Sequence, residues 1–372
     1  MTTHPASNAP RHLAVITVIL SLLLASLTSP ATTALAQTGT IPVSTPPVTP
    51  PVQTPQPTAP VVAPTPFPEP TPAIVVPDTR EQQLATELLA NEPGVYGYVV
   101  MEADGSLVAS INGQTPFVTA SLYKLILMAD IYQRIELGSL SADQLIVLQP
   151  RTYQESLDNY FTPDEIGMAF PLQEYLFAVG AYSSNVAART LLDLTSREAL
   201  RNTAMAIGMM DTYLFTDPLL IPNWKTEPGP DAPPEEFVVA QTYLQESARS
   251  GPTNVTTPLD MAKYGIAIAN DTLLSPWVSE QVANVLMDQA IRDRIPYLLE
   301  GDVFTINKPG NLPDAVNDVG VLYLPDGPRS VATLSLAVPN TDRATEIEQQ
   351  LAVIATGWAS GHPVVAPWRE DA

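Results

Sequence analysis

The chain has 372 residues, with 17 lysines and arginines against 39 aspartates and glutamates, a formal net charge of −22 and no cysteine. A surface this negative repels nucleic-acid phosphates and anionic lipid, which argues against both as partners. The missing cysteine excludes disulfides, thiolate nucleophiles, thiolate metal sites and a lipoprotein anchor. The three histidines, His4, His12 and His362, lie close to the two ends of the chain. They are poorly placed for a Ser-His-Asp triad or a histidine-based zinc site, so the base of any hydrolase here is expected to be a lysine or a carboxylate.

Arg11, the apolar run Leu13–Leu27 and the small-residue stretch Ala34-Leu35-Ala36 read as a signal peptide over residues 1–36, cleaved after Ala36. The apolar run is short for a spanning helix, which needs roughly twenty residues. An uncleaved membrane tether is the alternative, and either reading makes the chain exported, secreted or held at the cell envelope. Residues 37–78 form a linker rich in proline, threonine and valine. Proline fixes φ and removes the backbone donor, so this stretch is expected to be extended, with a reach on the order of 100 Å.

The folded part is expected over 79–372. Leu84, Leu88 and Leu89 share one face of a helix over 80–91. Strands follow at Val95–Met101 and Leu107–Ile111, joined by the turn Ala103-Asp104-Gly105. A helical middle runs from Ala120 to Leu286. Strands return at Val303–Asn307, Gly320–Leu324 and Val331–Val338, followed by a helix over Ala344–Trp358. Strands at both ends with helices between them imply one α/β domain whose sheet is closed by the two halves of the chain.

Three short motifs carry chemistry. Phe117-Val118-Thr119-Ala120-Ser121-Leu122-Tyr123-Lys124 has the form of a helix start capped by Thr119, with Ser121 and Lys124 on one helix face. A serine in a first turn has backbone N–H groups beside it that favour developing negative charge. Ala181-Tyr182-Ser183-Ser184-Asn185 comes between two helical stretches, and Ile306-Asn307-Lys308-Pro309-Gly310-Asn311 ends a strand pattern. The order S-x-x-K, S-x-N, K-x-G resembles the class A β-lactamase and penicillin-binding serine hydrolase family. Thr256-Thr257-Pro258-Leu259-Asp260-Met261-Ala262 and Asn317-Asp318-Val319-Gly320 resemble further stretches of it, and the resemblance covers about Thr79 to Gly361.

The resemblance implies an α+β fold: a five-stranded antiparallel sheet flanked by helices, plus an all-helical subdomain, with the site between them. It implies that Ser121 attacks an amide or lactam carbonyl, that Lys124 accepts its proton, and that Ser183 relays a proton to the leaving nitrogen. Asn185 would hold the substrate amide and Lys308 would supply positive charge for a carboxylate. Backbone N–H groups of Ser121 and Asn311, beside Gly310, would form the oxyanion hole, and Tyr160 would be an aromatic wall of the cleft. The partner is then a small β-lactam or a cell-wall peptide, the chain a monomer, and no metal or organic cofactor is implied.

Three departures stand against the family pattern. Ser184 occupies the middle of S-x-N, where class A enzymes usually carry aspartate. Pro309 replaces the hydroxyl residue of K-x-G, which weakens recognition of a substrate carboxylate. The glutamate that activates water for deacylation is not found: Asp217 is the nearest carboxylate in Asp211–Asn223, a methylene shorter, and Ile221 stands where asparagine is expected. An acidic, proline-rich insertion, Lys225 to Gly251, then lengthens the loop, with Glu227, Glu235 and Glu236 expected in solvent. Acylation without efficient deacylation fits a slow hydrolase. A D-alanyl peptidase and a non-catalytic binding domain on a proline-rich tether remain open beside it.

Overall fold

Val95–Glu102 forms strand β1, and seven of its eight residues are buried. A strand covered on both faces divides its side chains between two cores. Val95, Val99 and Met101 join one core; Tyr96, Tyr98 and Val100 join the other. The structure is a computed structural model that describes residues 74–153, 158, 160–216, 228–249, 251 and 253–358. The signal segment, the linker up to residue 73, Asp217 and Glu227 lie outside the described residues. Residues 74–78 are in neither helix nor strand, and the Ile74 backbone N–H donates to Gln114 Oε1 at 3.4 Å.

Strands β2 (Leu107–Ile111), β8 (Phe304–Leu312), β9 (Ala315–Leu324) and β10 (Gly327–Leu336) complete a five-stranded sheet in the order β2-β1-β10-β9-β8. Every pairing in it is antiparallel. The N-terminal hairpin thus docks on the C-terminal meander through β1 and β10, the closure by two chain halves that the sequence implies. Helices α1 (Arg80–Leu89) and α9 (Thr341–Ala355) cover one face, burying Ala85, Ala344, Ile347 and Leu351 against Tyr98 and Val331. Thr79 caps α1 by accepting from the Gln82 backbone N–H at 3.0 Å, which closes one of the orphan donors of a helix start.

The other face carries α7 (Pro258–Ala269), α2 (Tyr123–Glu136) and α8 (Pro276–Met287). Helices α3 (Leu172–Ala181), α4 (Asn185–Leu192) and α5 (Arg197–Ala206) gather around α2 as the helical part of the fold. Close approach of α7 to the sheet rests on two glycines. A side chain at Gly97 would meet Pro258 Cγ at 2.5 Å and Phe117 Cε2 at 2.8 Å, and one at Gly265 would meet Ser330 Oγ at 2.2 Å. Among the described residues no helix is long and apolar enough to cross a membrane.

The expected helical middle is interrupted by four short strands. Β4 (Leu145–Val147) pairs with β5 (Ala169–Pro171), while β6 (Tyr213–Thr216) pairs with β7 (Thr253–Thr256), which also pairs with β3 (Phe117–Val118). At two to four residues these strands are too short to carry a legible period of their own. The 225–251 insertion also differs from the solvated loop expected of it. Pro234–Ala248 is a helix, α6, which buries Phe237, Ala240 and Leu244, a stripe at helical spacing hidden in proline-rich composition. Glu236 is not free in solvent: Asn112 Nδ2 donates to its Oε2 at 2.5 Å, whereas Glu235 is exposed. Asp231 joins the same anchor, accepting from Ser110 Oγ at 2.6 Å and the Gly113 backbone N–H at 2.7 Å.

Replacing Gly265 by valine forces α7 away from β10. The expected cost is about 1–3 kcal/mol of stability, read as a lower urea midpoint with an unchanged slope.

Candidate active site

The nucleophile candidate sits on a strained turn. Ala120 has φ +47°, a left-handed conformation that costs a non-glycine residue roughly 1–2 kcal/mol. It opens a short 3₁₀ turn, Ala120–Leu122, that runs directly into α2. Thr119 is not the expected cap: its own backbone is helical and its side chain makes no capping bond. Its backbone N–H instead donates to Asn254 O at 2.9 Å, which ties the turn to β7. No hydrogen bond fixes the Ser121 hydroxyl among the described residues. Lys124, one turn further on, is fully buried.

The second motif lies between α3 and α4. Ser183 has φ +57°, and Ser184 caps α4 by accepting from the Ala187 backbone N–H at 2.9 Å. That reversal turns Ser183 and Asn185 toward Lys124. Lys124 Nζ donates to Ser183 O at 2.5 Å, to Asn185 Oδ1 at 2.8 Å and to Ser183 Oγ at 3.3 Å. From the sheet, Lys308 Nζ donates to the same Ser183 Oγ at 2.8 Å and to its neighbour Pro309 O at 2.9 Å. Two buried lysine side chains therefore share one hydroxyl oxygen.

Burial drives both lysines toward their neutral forms. Lys124 is brought down to about 7, burial being the largest cause; Asp158 opposes the fall and Arg189 adds to it. Lys308 falls well below the ordinary lysine range, chiefly by burial, then through Lys124, with Asp318 pulling the other way and Arg294 adding to the fall. Asp318 itself is raised to about 6 by burial, although Asn307 Nδ2 and the Ile295 backbone N–H donate to it.

The third motif is on β8, the outer strand of the sheet, which packs against the 120–122 turn. A side chain at Gly310 would lie 3.0 Å from both the Ser121 backbone nitrogen and Thr119 O, so only glycine brings the strand this close. Pro309 is tolerated because an edge strand need not donate on both sides, and it sits opposite Asp318 in β9. Asn311 is opposite Val316, and its side-chain Oδ1 accepts from Arg294. Arg294, buried, also donates to Asn317 O at 2.7 Å. Asn317 Nδ2 donates to Val118 O at 2.9 Å, fastening the sheet to the segment that leads into Ser121.

Ser121, Lys124, Ser183, Asn185, Lys308 and Gly310 are thus brought together. Tyr160 stands beside them in an aromatic cluster. Its ring lies 5.0 Å from that of Phe161 and 5.0 Å from that of Tyr182, the residue before Ser183, and its hydroxyl meets the Glu174 carboxylate. Of the insertion's described carboxylates, Glu236 and Asp231 are held at the end of β2 and Glu235 is exposed. Sequence reasoning missed Asp158, Arg189, Arg294 and the fastening role of Asn317. For Asp158 there was a signal: a serine at 184 leaves a carboxylate to be supplied from elsewhere.

Residues 79–358 match the Beta-lactamase enzyme family, and the chain belongs to that family. Family and fold together make it a serine hydrolase of the β-lactamase and penicillin-binding type. Similar solved structures include a β-lactamase from Burkholderia vietnamiensis, 20% identical with a TM-score of 0.61 over 76% of this chain and 97% of that one. A variant of the reconstructed last common ancestor of Gram-negative class A β-lactamases is 22% identical, with a TM-score of 0.60 over 76% and 99%. A PBP-A mutant, solved as an acyl-enzyme complex with penicillin G, is 18% identical, with a TM-score of 0.60 over 76% and 97%. At these identities the likeness speaks for the fold. No curated protein matches the sequence.

Gly310→Val is expected to push β8 off the Ser121 turn. Hydrolase activity is expected to fall by about 100-fold or more, and the thermal midpoint to fall with it, since the overpacking costs about 1–3 kcal/mol.

Proposed function

We propose that this chain is an exported acyl-transfer enzyme that takes β-lactams or peptidoglycan-like amides onto Ser121 and releases them slowly. The observation that carries the reading is the Ser183 hydroxyl held between two buried lysines, one of them poised near neutrality, beside an unengaged serine. Neutral Lys124 keeps two N–H donors for Ser183 O and Asn185 Oδ1 and turns its lone pair to the Ser121 hydroxyl. The Ser121 oxygen bonds to the carbonyl carbon as its proton passes to Lys124. Negative charge on the former carbonyl oxygen is met by the backbone N–H groups of Ser121 and Asn311. The C–N bond then breaks, the leaving nitrogen takes the Ser183 proton, and Lys124 returns a proton to Ser183 Oγ.

Ser183 suits that relay because Lys308 donates to its oxygen and Lys124 donates to it as well once it holds the Ser121 proton, which turns the hydroxyl's own proton outward. Asn185 and the edge of β8 at Gly310 and Asn311 would hold the substrate amide, with Tyr160 bordering the cleft. Hydrolysis of the ester needs a base within hydrogen-bond reach of a water. Glu236 and Asp231 are committed to Asn112, Ser110 and Gly113, so neither serves. Asp217 is the remaining candidate from the sequence. In this reading the 1–36 segment directs export, the 37–78 linker spaces the domain from its point of origin, and the domain acts as a monomer.

Pro309 favours a second reading: without a hydroxyl there, a substrate carboxylate loses a partner, and a D-alanyl peptide or a non-catalytic binding role gains weight. Intact-protein mass after mixing with a penicillin distinguishes these. An adduct that forms on the wild type, persists for many minutes and is absent from Ser121→Ala is expected. An adduct that decays within seconds would contradict slow release. With no adduct, turnover of a D-Ala-D-Ala peptide would support the peptidase, and its absence the binding domain.

A further inference from the structure

Asp158 lies outside all three motifs, yet it is the carboxylate most closely integrated with them. Its Oδ2 accepts from Ser184 Oγ at 2.5 Å and from the Val186 backbone N–H at 2.8 Å. Its Oδ1 accepts from the backbone N–H groups of Tyr160 at 2.8 Å and Phe161 at 3.1 Å. One side chain thus fastens the loop carrying Tyr160 to the first turn of α4, whose N-terminus favours a negative charge. The residues it grips, Ser184 and Val186, flank Asn185, and Ser183 comes just before them. These are the groups that receive Lys124.

Lys124 has no carboxylate in direct contact among the described residues. The charged groups that act on it are Asp158 from the loop and Arg189 from α4, with Lys308 facing it from β8 and Asp318 and Arg294 behind Lys308. Among the described residues, Asp158 is the one carboxylate that favours the charged form of Lys124. We propose that Asp158 is a positioning residue of this site, whose carboxylate holds the Ser183–Asn185 turn in register and supplies the counter-charge for Lys124. Ser184 is its relay: the short hydroxyl leaves room for the Asp158 carboxylate and carries its hydrogen bond into the helix cap. The motif's missing negative charge is supplied from across the loop.

The catalytic part of this inference rests on the acyl-enzyme reading above, but its test does not. The chain has four lysines, Lys124, Lys225, Lys263 and Lys308, so with ¹³Cε-labelled lysine Lys124 can be titrated by NMR in the full-length protein. The wild-type midpoint is expected near 7. Asp158→Asn removes a negative charge and moves the midpoint to lower pH. Ser184→Asp adds one and moves it to higher pH. Each shift changes the ratio of neutral to charged Lys124 by about threefold to tenfold. Asp158→Asn combined with Ser184→Asp brings the midpoint back toward wild type.

Opposite shifts with mutual rescue support the inference. Loosening of the loop alone would move both single variants the same way or neither, and either result overturns it. If Asp158→Asn alone does not fold, Asp158→Asn combined with Ser184→Asp decides: a midpoint near that of the wild type supports the inference, and one well below it overturns it. A wild type that shows these shifts but forms no penicillin adduct overturns the acyl-enzyme reading and leaves the assignment of Asp158 standing.

Discussion

Everything at this site turns on one oxygen, Ser183 Oγ, which accepts hydrogen bonds from two buried lysine side chains at 3.3 and 2.8 Å. Two like charges sharing an acceptor inside a protein repel each other, and each loses hydration when buried. The fold resolves the conflict by lowering the proton affinity of both lysines. What would be a liability for stability becomes a supply of neutral amine near pH 7. That arrangement needs three elements in register. The 120–122 turn brings Lys124, the 183–185 reversal brings the hydroxyl, and β8 brings Lys308. Two of the three depend on a non-glycine residue held at positive φ, Ala120 and Ser183, and strain of this kind collects where geometry matters more than stability.

The supports around that oxygen are polar and buried. Asn317 fastens β9 to β3, Arg294 bridges Asn317 and Asn311, and Asp318 ties β9 to Asn307. These bonds fix the side from which Lys308 comes. On the opposite side Asp158 and Ser184 fix the turn that meets Lys124. The group around Ser183 is therefore braced from both sides. The insertion has gone another way: its Asp231 and Glu236 anchor α6 to the end of β2.

Much of this was legible in the sequence. The buried strands were long enough to show their character, so at the two ends of the domain β1, β2 and the C-terminal meander read correctly to within a few residues, except that β8 and β9 run further than their apolar cores. The three motifs found their elements because each combines a chemistry-bearing residue with a turn signal. The strands β4 to β7 were lost because a strand of three or four residues is set by its partner and not by its own pattern. Helix α6 was hidden by the prolines before it, although Phe237, Ala240 and Leu244 carry its stripe. Thr119 looked like a cap by type and position, but the positive φ at Ala120 carries the turn without one. For Asp158 the one signal lay at Ser184, far along the chain, since its role exists only once the loop meets α4.

The most direct test of the central claim is the rate of Ser121 acylation by a penicillin as a function of pH, measured in single turnover. If a buried neutral Lys124 takes the serine proton, the rate rises with pH through a midpoint near 7 and then levels, and Lys124→Ala removes both the rise and most of the rate. A rate flat from pH 5 to 9 in the wild type, or an undiminished rise in Lys124→Ala, would contradict the account.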